Sequence, residues 1–146
     1  MLPLSNLNVL VTVYNKEPHI LSLSRNLIDL RDNGAEIILI DDGSTDNSFN
    51  LVSDSIHDKH NFRFFRTSNN GSAAARNLAL KMANKKYFIF LDADDFIDLK
   101  QLILAFTHMT TLEVDLAKFP YYKNGIIKEI TYEERAFTLN TRKIGR

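Results

Sequence analysis

The sequence predicts an α/β fold, in which a mostly parallel sheet carries helices on its faces. The first observation is that short apolar runs alternate with segments of helical period as far as Met109. This alternation is typical of βαβ units, in which right-handed crossovers join parallel strands. The second observation is that two apolar runs, 36–40 and 87–91, end directly in aspartates. Because open α/β sheets bind ligands beyond the carboxyl ends of their strands, these aspartates mark a candidate site.

The first β-α-β unit is predicted from residues 7–40. Residues 7–13 are strongly apolar and predict a central strand. The next helix is predicted to begin near Pro18, since proline suits the first turn of a helix, and to end at Asn33-Gly34. A second buried strand is predicted at 36–40.

The middle of the chain repeats this pattern. A helix is predicted from about 46 to 56, and the aromatic segment 61–66 predicts a third strand near an edge of the sheet. The turn at 69–72 opens a helix of small residues that extends to Met82. A fourth strand is predicted at 87–91, and its uninterrupted apolar character predicts burial.

The C-terminal part is predicted to begin with a helix and a hairpin. Asp98 is predicted to cap a helix that extends to about Met109. The dipeptide Asn124-Gly125 separates the apolar segments 114–122 and 126–132, and it predicts a β-hairpin. Residues 133–146 have no clear periodicity.

Length and composition narrow the classes of protein. A chain of 146 residues predicts a single domain over 1–146. Its core is expected at about 7–122, with a C-terminal hairpin and tail at 113–146. Lys plus Arg equals Asp plus Glu at 18 each, and a net charge of zero argues against a nucleic-acid partner. The absence of cysteine excludes disulfides, thiolate metal sites and cysteine nucleophiles.

The sequence also bears on cellular location. No apolar run approaches the roughly 20 residues that span a bilayer. The first residues lack the basic region of a signal peptide, so a cytoplasmic protein is predicted. Three basic residues of the tail could touch a membrane surface, which leaves peripheral association at the inner face of the membrane open. They are Arg142, Lys143 and Arg146.

Three carboxylates follow the fourth predicted strand within four positions, at Asp92, Asp94 and Asp95. Like charges at this spacing repel each other unless a cation lies between them. Carboxylate oxygens suit Mg²⁺ or Mn²⁺, so we interpret the cluster as a divalent metal site. The alternative is a solvated loop in which Asp98 caps the next helix.

Two further segments lie at the same predicted edge of the sheet. Asp41 and Asp42 exceed what a helix cap requires, which favours a hydrogen-bonding role for at least one of them. Small residues from Gly71 onward leave a helix start open to an anion. Arg76 could contact a phosphate or hold an aspartate of this edge, or it could be an exposed helical residue. Together these groups suit a nucleoside diphosphate bridged by a divalent metal.

The chain resembles the N-terminal, nucleotide-sugar-binding part of family 2 glycosyltransferases, which have the GT-A fold. The resemblance covers roughly residues 7–110, and its four segments occur in the order found in the family. They are Val11–Glu17 (VTVYNKE), Ile40–Asp46 (IDDGSTD), Asn69–Gly71 (NNG) with Ala75–Asn77 (ARN), and Phe90–Asp95 (FLDADD).

The resemblance implies roles for the residues that would hold the nucleotide. Thr12 and Tyr14 correspond to the wall of the uracil pocket. Asp42 corresponds to the carboxylate that contacts the base, with Asp41 beside it. Arg76 corresponds to the basic residue of the family's ARN motif, near the nucleotide.

The resemblance also implies how the diphosphate is held. Asp92, Asp94 and Asp95 correspond to the family's DxD region, which contacts the ribose and holds the metal. Asp92 is assigned to the nucleotide, and Asp94 and then Asp95 to Mn²⁺ or Mg²⁺. The implied donor is a UDP-sugar, the implied acceptor is a glycan or a lipid-linked molecule, and transfer is expected to invert the anomeric carbon.

The chain departs from the family pattern after the DxD region. An inverting enzyme needs a general base that deprotonates the acceptor hydroxyl. The acidic residues available lie in no matching motif, so the fold is expected to be truncated at its C-terminus and transfer by this chain alone is an open question. These residues are Glu113, Asp115, Glu129, Glu133 and Glu134.

Three other classes stay open on the sequence alone. The strongest is a non-catalytic nucleotide-binding module. An aspartyl phosphatase would use Asp92 as its nucleophile, but that chemistry usually follows the first strand of a domain. A phosphoacceptor receiver domain would need an acidic pair after the first strand, where this chain has Tyr14-Asn15-Lys16.

Overall fold

The computed structural model describes residues 1–113, 122–123 and 126–127. Its strands are β1 (Leu7–Val13), β2 (Glu36–Asp41), β3 (Phe62–Arg66), β4 (Tyr87–Asp92), β5 (Tyr122–Lys123) and β6 (Ile126–Ile127). Its helices are a short 3₁₀ helix (Glu17–His19), α1 (Ile20–Asp32), α2 (Ser48–Ser55), α3 (Ser72–Met82) and α4 (Leu99–Thr111). The chain divides into two compact units, Met1–Lys100 and Gln101–Arg146.

The first unit is built on a parallel sheet with the strand order β3-β2-β1-β4. The chain places β2 and β3 on one side of β1 and then returns to place β4 on the other side. Such a reversal leaves a crevice at the carboxyl ends of the strands that flank it. In the register of β1 and β4, Thr12 lies opposite Asp92, so the predicted metal cluster begins at this crevice.

The central strands β1 and β2 are buried almost throughout, as expected for parallel strands covered on both faces. On one face, Leu10, Ile38 and Ile40 form a cluster with Ala75 and Ala79 of α3. The two alanines are one helical turn apart and therefore lie on the same side of α3. Their small side chains bring the start of α3 close to the sheet edge that carries the candidate site.

The elements predicted from the sequence are present with small shifts at their ends. The prediction of β1 is confirmed at Leu7–Val13, and β3 is confirmed as an edge strand. Pro18 lies in the 3₁₀ helix that precedes α1, and Gly34 follows α1 with φ of 103°. The helix α2 begins at Ser48, later than predicted, because the Asp46 side chain accepts a hydrogen bond from the Ser48 backbone N–H in a local turn.

The prediction that β4 is a buried strand is wrong, because only Leu91 of its six residues is buried. Phe88 and Phe90 are 49% and 40% exposed, and their rings meet edge to face at 5.4 Å. The physical reason is that β4 lies at the edge of the sheet that the described residues form and pairs there only with β1. Alternate side chains of a strand point to opposite faces, so both phenylalanines lie on one face. An apolar composition alone does not distinguish an edge strand from a central one.

In the second unit, β5 and β6 pair in antiparallel fashion, with Tyr122 opposite Ile127 and Lys123 opposite Ile126. This pairing confirms the hairpin at its centre, and the rest of the predicted hairpin and the tail lie outside the described residues. The single domain predicted over 1–146 stays a prediction. No helix among the described residues has the length and apolar character needed to cross a membrane.

Candidate functional site

A cavity of about 550 Å³ opens at the carboxyl ends of β1, β2 and β4. This volume lies within the range of ordinary small-molecule sites. Six of the predicted site residues line the cavity, namely Thr12, Tyr14, Asp42, Arg76, Asp92 and Asp94. The wall also includes residues that the sequence analysis did not assign to the site, among them Lys16, Asn69 and Ser72.

Asp92 is the last residue of β4, and its charge is compensated within the protein. Nη2 of Arg76 lies 2.6 Å and 2.7 Å from the two carboxylate oxygens of Asp92. The Thr12 hydroxyl donates a further hydrogen bond to Asp92 Oδ1 at 3.2 Å. Of the alternatives left open for Arg76, the structure therefore shows that it holds an aspartate of the edge. A carboxylate engaged in this way is a poor nucleophile, which argues against the phosphatase alternative.

Asp94 follows in the turn closed by the hydrogen bond from Asp95 N to Asp92 O, at 2.9 Å. Its Oδ2 accepts a hydrogen bond from Lys16 Nζ at 2.7 Å, and both side chains are about two-fifths exposed. This bond raises the pKa of Lys16 and lowers the pKa of Asp94. Both groups are consequently charged near neutral pH.

Asp95 differs from Asp92 and Asp94 in having no ion-pair partner within residues 1–113. Desolvation and the negative charges of Asp94 and Asp92 raise the pKa of its carboxyl group. The three carboxylates therefore present one charge held by Arg76, one held by Lys16 and one, on Asp95, without a direct ion-pair partner in this part of the chain. Asp95 does not contribute to the cavity wall, whereas Asp94 does.

The residues present fit a divalent metal that is shared with a ligand. Within the described part of the chain, no group of three or more His, Cys, Asp or Glu side chains could hold a metal ion. Mg²⁺ is commonly bound through one or two carboxylates together with the phosphates of a substrate. Asp94 and Asp95 match that donor set in residue type, and the ammonium group of Lys16 on Asp94 Oδ2 shows that this oxygen accommodates a cation.

Asp42 lies at the opposite side of the cavity, where β2 leads into the next loop. Asp42 is only 3% exposed. Its Oδ1 accepts hydrogen bonds from Thr67 Oγ1 at 3.0 Å and from Asn70 N at 2.9 Å. Its other oxygen, Oδ2, accepts no hydrogen bond from the residues that the structure describes. Asp42 therefore offers a free acceptor oxygen on a rigidly held carboxylate.

Asp41 has a different environment from Asp42. It is fully buried, its Oδ1 accepts a hydrogen bond from Ser44 N at 3.0 Å, and Arg66 Nε lies 3.3 Å from the same oxygen. Its Oδ2 is buried without a hydrogen-bond partner among the described residues. Asp41 does not line the cavity, so the nucleotide contact implied by the resemblance stays a prediction. Its observed contacts are those of a side chain that shapes the turn.

The loop after β1 is tied to the loop after β2 by hydrogen bonds in both directions. Asn15 Oδ1 accepts a bond from Thr45 N at 2.7 Å, and Asn15 N donates to Ser44 Oγ at 3.0 Å. Asn15 has φ of 50°, a conformation that asparagine tolerates better than most residues. The Lys16 backbone N–H donates to Ser48 Oγ at 2.9 Å. This network fixes the backbone that presents Tyr14 and Lys16 to the cavity.

The second connection between these loops is reciprocal. Glu17 N donates to Asp46 Oδ2 and Asn47 N donates to Glu17 Oε2, both at 3.1 Å. Desolvation opposes ionisation of Asp46, but its hydrogen bonds, led by those from Ser48, lower its pKa. The acidic residues of the YNKE and DDGSTD segments therefore serve partly as loop anchors. No local sequence signal separates such anchors from ligand-binding carboxylates.

The stabilities of two glycine-to-alanine variants test the packing of the loop that carries Asp42. Gly43 has φ of +74°, and a Cβ atom there would lie 2.7 Å from the backbone N of Asn69. Gly71 has φ of +90°, and a Cβ atom there would meet nothing within 4 Å. We expect Gly43→Ala to lower the free energy of unfolding more than Gly71→Ala, because strain at positive φ, on the order of 1–3 kcal/mol, applies to both positions but only Gly43→Ala adds a clash with backbone. Urea denaturation of both variants measures this, and equal losses would contradict the observed approach of the two loops.

Lys16 is the charged residue of the cavity wall that was not predicted from the sequence. It lies inside the YNKE segment, which is the signal that could have brought it into the candidate list. Its partner Asp94 is 78 positions away, so the contact is created only when β1 and β4 become neighbours.

A parallel sheet with a charged cavity at its switch point defines a ligand-binding α/β domain. The family model described as glycosyl transferase family 2 matches residues 8–143, and the chain belongs to that family. The GT-A fold predicted from the sequence is confirmed by the four-stranded parallel sheet and by the solved structures to which the chain is similar.

The chain is similar to a relative from Haemophilus influenzae described as an uncharacterized glycosyltransferase. The two are 40% identical over 92 residues, which is 62% of this chain and 37% of the relative. The chain therefore spans well under half of that relative's length.

Two solved structures show the same fold. Staphylococcus aureus TarS 1–349, in complex with UDP-GlcNAc, has a TM-score of 0.67 and 30% identity over 75% of this chain and 32% of that one. The mannosyltransferase PcManGT from Pyrobaculum calidifontis, in complex with GDP-Man and Mn²⁺, has a TM-score of 0.64 and 25% identity over 75% of this chain and 33% of that one.

Proposed function

We propose that this chain is the donor-binding part of an enzyme that transfers a sugar from a UDP-sugar to a glycan or lipid-linked acceptor, with a divalent metal and with inversion. One observation carries the proposal: the cavity joins a free acceptor oxygen of Asp42 to the acidic turn at Asp92 and Asp94. The UDP-GlcNAc complex of TarS and the GDP-Man and Mn²⁺ complex of PcManGT support a nucleotide-sugar donor and a metal of this kind.

The base is assigned to the Asp42 side of the cavity. Uracil has an N–H group at N3, and a carboxylate oxygen without a protein partner is its natural acceptor. Tyr14 is 43% exposed at the cavity wall, so its ring is available to contact the flat face of the base. Asp41 is assigned to the support of this loop, because its carboxylate is enclosed by Ser44 N and Arg66.

The diphosphate is assigned to the acidic side. Asp94 and Asp95 would hold Mn²⁺ or Mg²⁺, and the metal, when bound, would neutralise the charge of the diphosphate as donor and as leaving group. Arg76 and Thr12 keep the Asp92 carboxylate in a single orientation beside the metal ligands. A fixed carboxylate is suited to accept hydrogen bonds from ribose hydroxyls.

Transfer requires one more group. The acceptor oxygen bonds to the anomeric carbon, the bond from that carbon to the diphosphate oxygen breaks, and the hydroxyl proton passes to a general base. Of the acidic residues named for this role, Glu113 is described and exposed in the second unit. The others, Asp115, Glu129, Glu133 and Glu134, lie outside the described residues. The identity of the base is therefore left unassigned.

Calorimetric titration of nucleotides tests the donor assignment. We expect UDP to bind more tightly with Mn²⁺ or Mg²⁺ than with EDTA, because the acidic turn repels a diphosphate without a cation. CDP is the matched control for the base, since cytosine presents an acceptor at N3 where uracil presents a donor. UDP should bind about 1–3 kcal/mol more tightly than CDP, the range for a hydrogen bond to a charged group.

Each arm of this titration tests a separate part of the proposal. UDP affinity that is the same in Mn²⁺ and in EDTA would remove Asp94 and Asp95 as metal ligands. Equal affinities for UDP and CDP would remove Asp42 as the acceptor for uracil. GDP should be the weaker ligand if the base contact is specific for uracil, and a preference for GDP would move the donor class to that of PcManGT.

A further inference from the structure

The ammonium group of Lys16 lies where a cation would be needed in the donor site. Its Nζ is 2.7 Å from Asp94 Oδ2, and Lys16 and Asp94 both line the cavity. The Lys16 backbone N–H donates a hydrogen bond to Ser48 Oγ at 2.9 Å. The Lys16 side chain is 36% exposed, and the contact that holds it is the one between Nζ and Asp94. Lys16 can therefore swing its ammonium group without disturbing the loop.

The bond between Lys16 and Asp94 is suited to being exchanged. Both side chains are partly exposed, and ion pairs of this kind contribute little to stability because water solvates both partners. The pair formed by Arg76 and Asp92 differs, because one guanidinium nitrogen contacts both carboxylate oxygens and Thr12 adds a third bond. Separating Lys16 from Asp94 should therefore cost less free energy than separating Arg76 from Asp92.

A divalent metal and an ammonium group compete for the same oxygen of Asp94. If the metal bound Oδ2 while Lys16 stayed in place, two cations would share one oxygen and repel each other. If Lys16 moved away with no anion to meet, it would lose its partner. A nucleoside diphosphate in the same cavity removes this conflict, because its phosphate oxygens can accept the displaced ammonium group.

We propose that Lys16 is an internal counter-ion of the metal site, which occupies Asp94 in the absence of donor, yields it to the metal, and then binds the diphosphate. Metal and nucleotide are then coupled through one side chain: each makes the binding of the other more favourable. Such coupling is reciprocal by thermodynamic necessity. The inference deepens the proposed function and rests on it.

The experiment compares the wild-type chain with Lys16→Met, which keeps the length of the side chain and removes its charge. Lys81→Met is the matched control, since Lys81 is exposed on α3 and is not part of the cavity wall. Electron paramagnetic resonance of free Mn²⁺ gives the metal affinity without nucleotide. Calorimetry gives the UDP affinity in Mn²⁺ and in EDTA.

In Lys16→Met, Mn²⁺ alone should bind about fivefold to tenfold more tightly than in the wild type, because a competing positive charge is gone. The factor by which Mn²⁺ strengthens UDP binding should fall, because the displaced ammonium group no longer reaches the phosphates. Lys81→Met should match the wild type in both quantities.

The outcomes separate the two proposals. If the wild type binds UDP with Mn²⁺ and Lys16→Met leaves the affinity for Mn²⁺ unchanged or weaker, the counter-ion role is wrong while the proposed function stands. If Lys81→Met raises Mn²⁺ affinity as much as Lys16→Met, the effect is one of net charge and the role of Lys16 is again wrong. If the wild type binds no Mn²⁺ with or without UDP, both proposals fail.

Discussion

Replacement of both Asp94 and Asp95 with asparagine is expected to eliminate the part of UDP binding that depends on metal. The two changes keep side-chain size but remove both carboxylate charges that are assigned to the metal, while Asp92 stays paired with Arg76. Loss of residues that merely support metal ligands lowers metal affinity by about 10–100-fold, so loss of the ligands themselves should cost at least as much. Mn²⁺ titration by paramagnetic resonance, with and without UDP, measures this loss.

One control variant and two single variants show whether the loss is specific to the metal site and which carboxylate contributes more. Asp54→Asn removes an exposed carboxylate of α2 and should leave Mn²⁺ binding unchanged. Asp94→Asn alone should reduce Mn²⁺ binding more than Asp95→Asn alone, because Asp94 lines the cavity and Asp95 does not. The reverse order would make Asp95 the principal ligand. Persistence of metal-dependent UDP binding in the double variant would refute the metal site.

Asp42→Ala is expected to weaken UDP binding by about 1–3 kcal/mol, which corresponds to roughly fivefold to 150-fold. The physical reason is that the variant removes Oδ2, the free acceptor oxygen of a residue that lines the cavity. Binding of pyrophosphate with Mn²⁺ should barely change, because Asp42 lies on the side assigned to the base. Calorimetry with both ligands makes the comparison.

Two outcomes of the Asp42 experiment need to be distinguished. The variant also removes the acceptor of Thr67 Oγ1 and Asn70 N, so the loop itself could shift. Asp42→Asn retains an acceptor oxygen for these two donors but replaces Oδ2 with an amide NH2 group, which cannot accept a hydrogen bond from uracil N3–H. It should therefore weaken UDP binding at least as much as Asp42→Ala, with pyrophosphate binding unchanged. Equal losses for UDP and pyrophosphate in Asp42→Ala would place Asp42 away from the base.

Much of the fold was accessible from the sequence because it depends on local patterns. Apolar runs and helical periods located β1, β2, β3 and β4 to within about a residue at each end, and the alternation of the two predicted a parallel sheet. Aspartates at the ends of 36–40 and 87–91 marked the edge of the sheet that carries the cavity, since parallel strands all present their carboxyl ends at one side. Each of these inferences depends only on the pattern of residue types within a short segment of the sequence.

Contacts between distant segments were decided by the tertiary structure. The strand order places β4 beside β1, which brings Thr12 opposite Asp92 and Lys16 within hydrogen-bonding distance of Asp94. The sequence left open whether Arg76 was an exposed residue, a phosphate ligand or a partner for an aspartate. Its bonds to Asp92 appear only when α3 packs against the sheet.

The pair Asp41-Asp42 shows the same division within two adjacent residues. The sequence by itself determined that two carboxylates end β2 and that at least one of them should accept hydrogen bonds. Which one lines the cavity was decided by the structure, because successive residues of an extended chain point in opposite directions and only the assembled sheet defines the direction of the cavity. Asp41 is enclosed by Ser44 and Arg66, while Asp42 lines the cavity with one oxygen free.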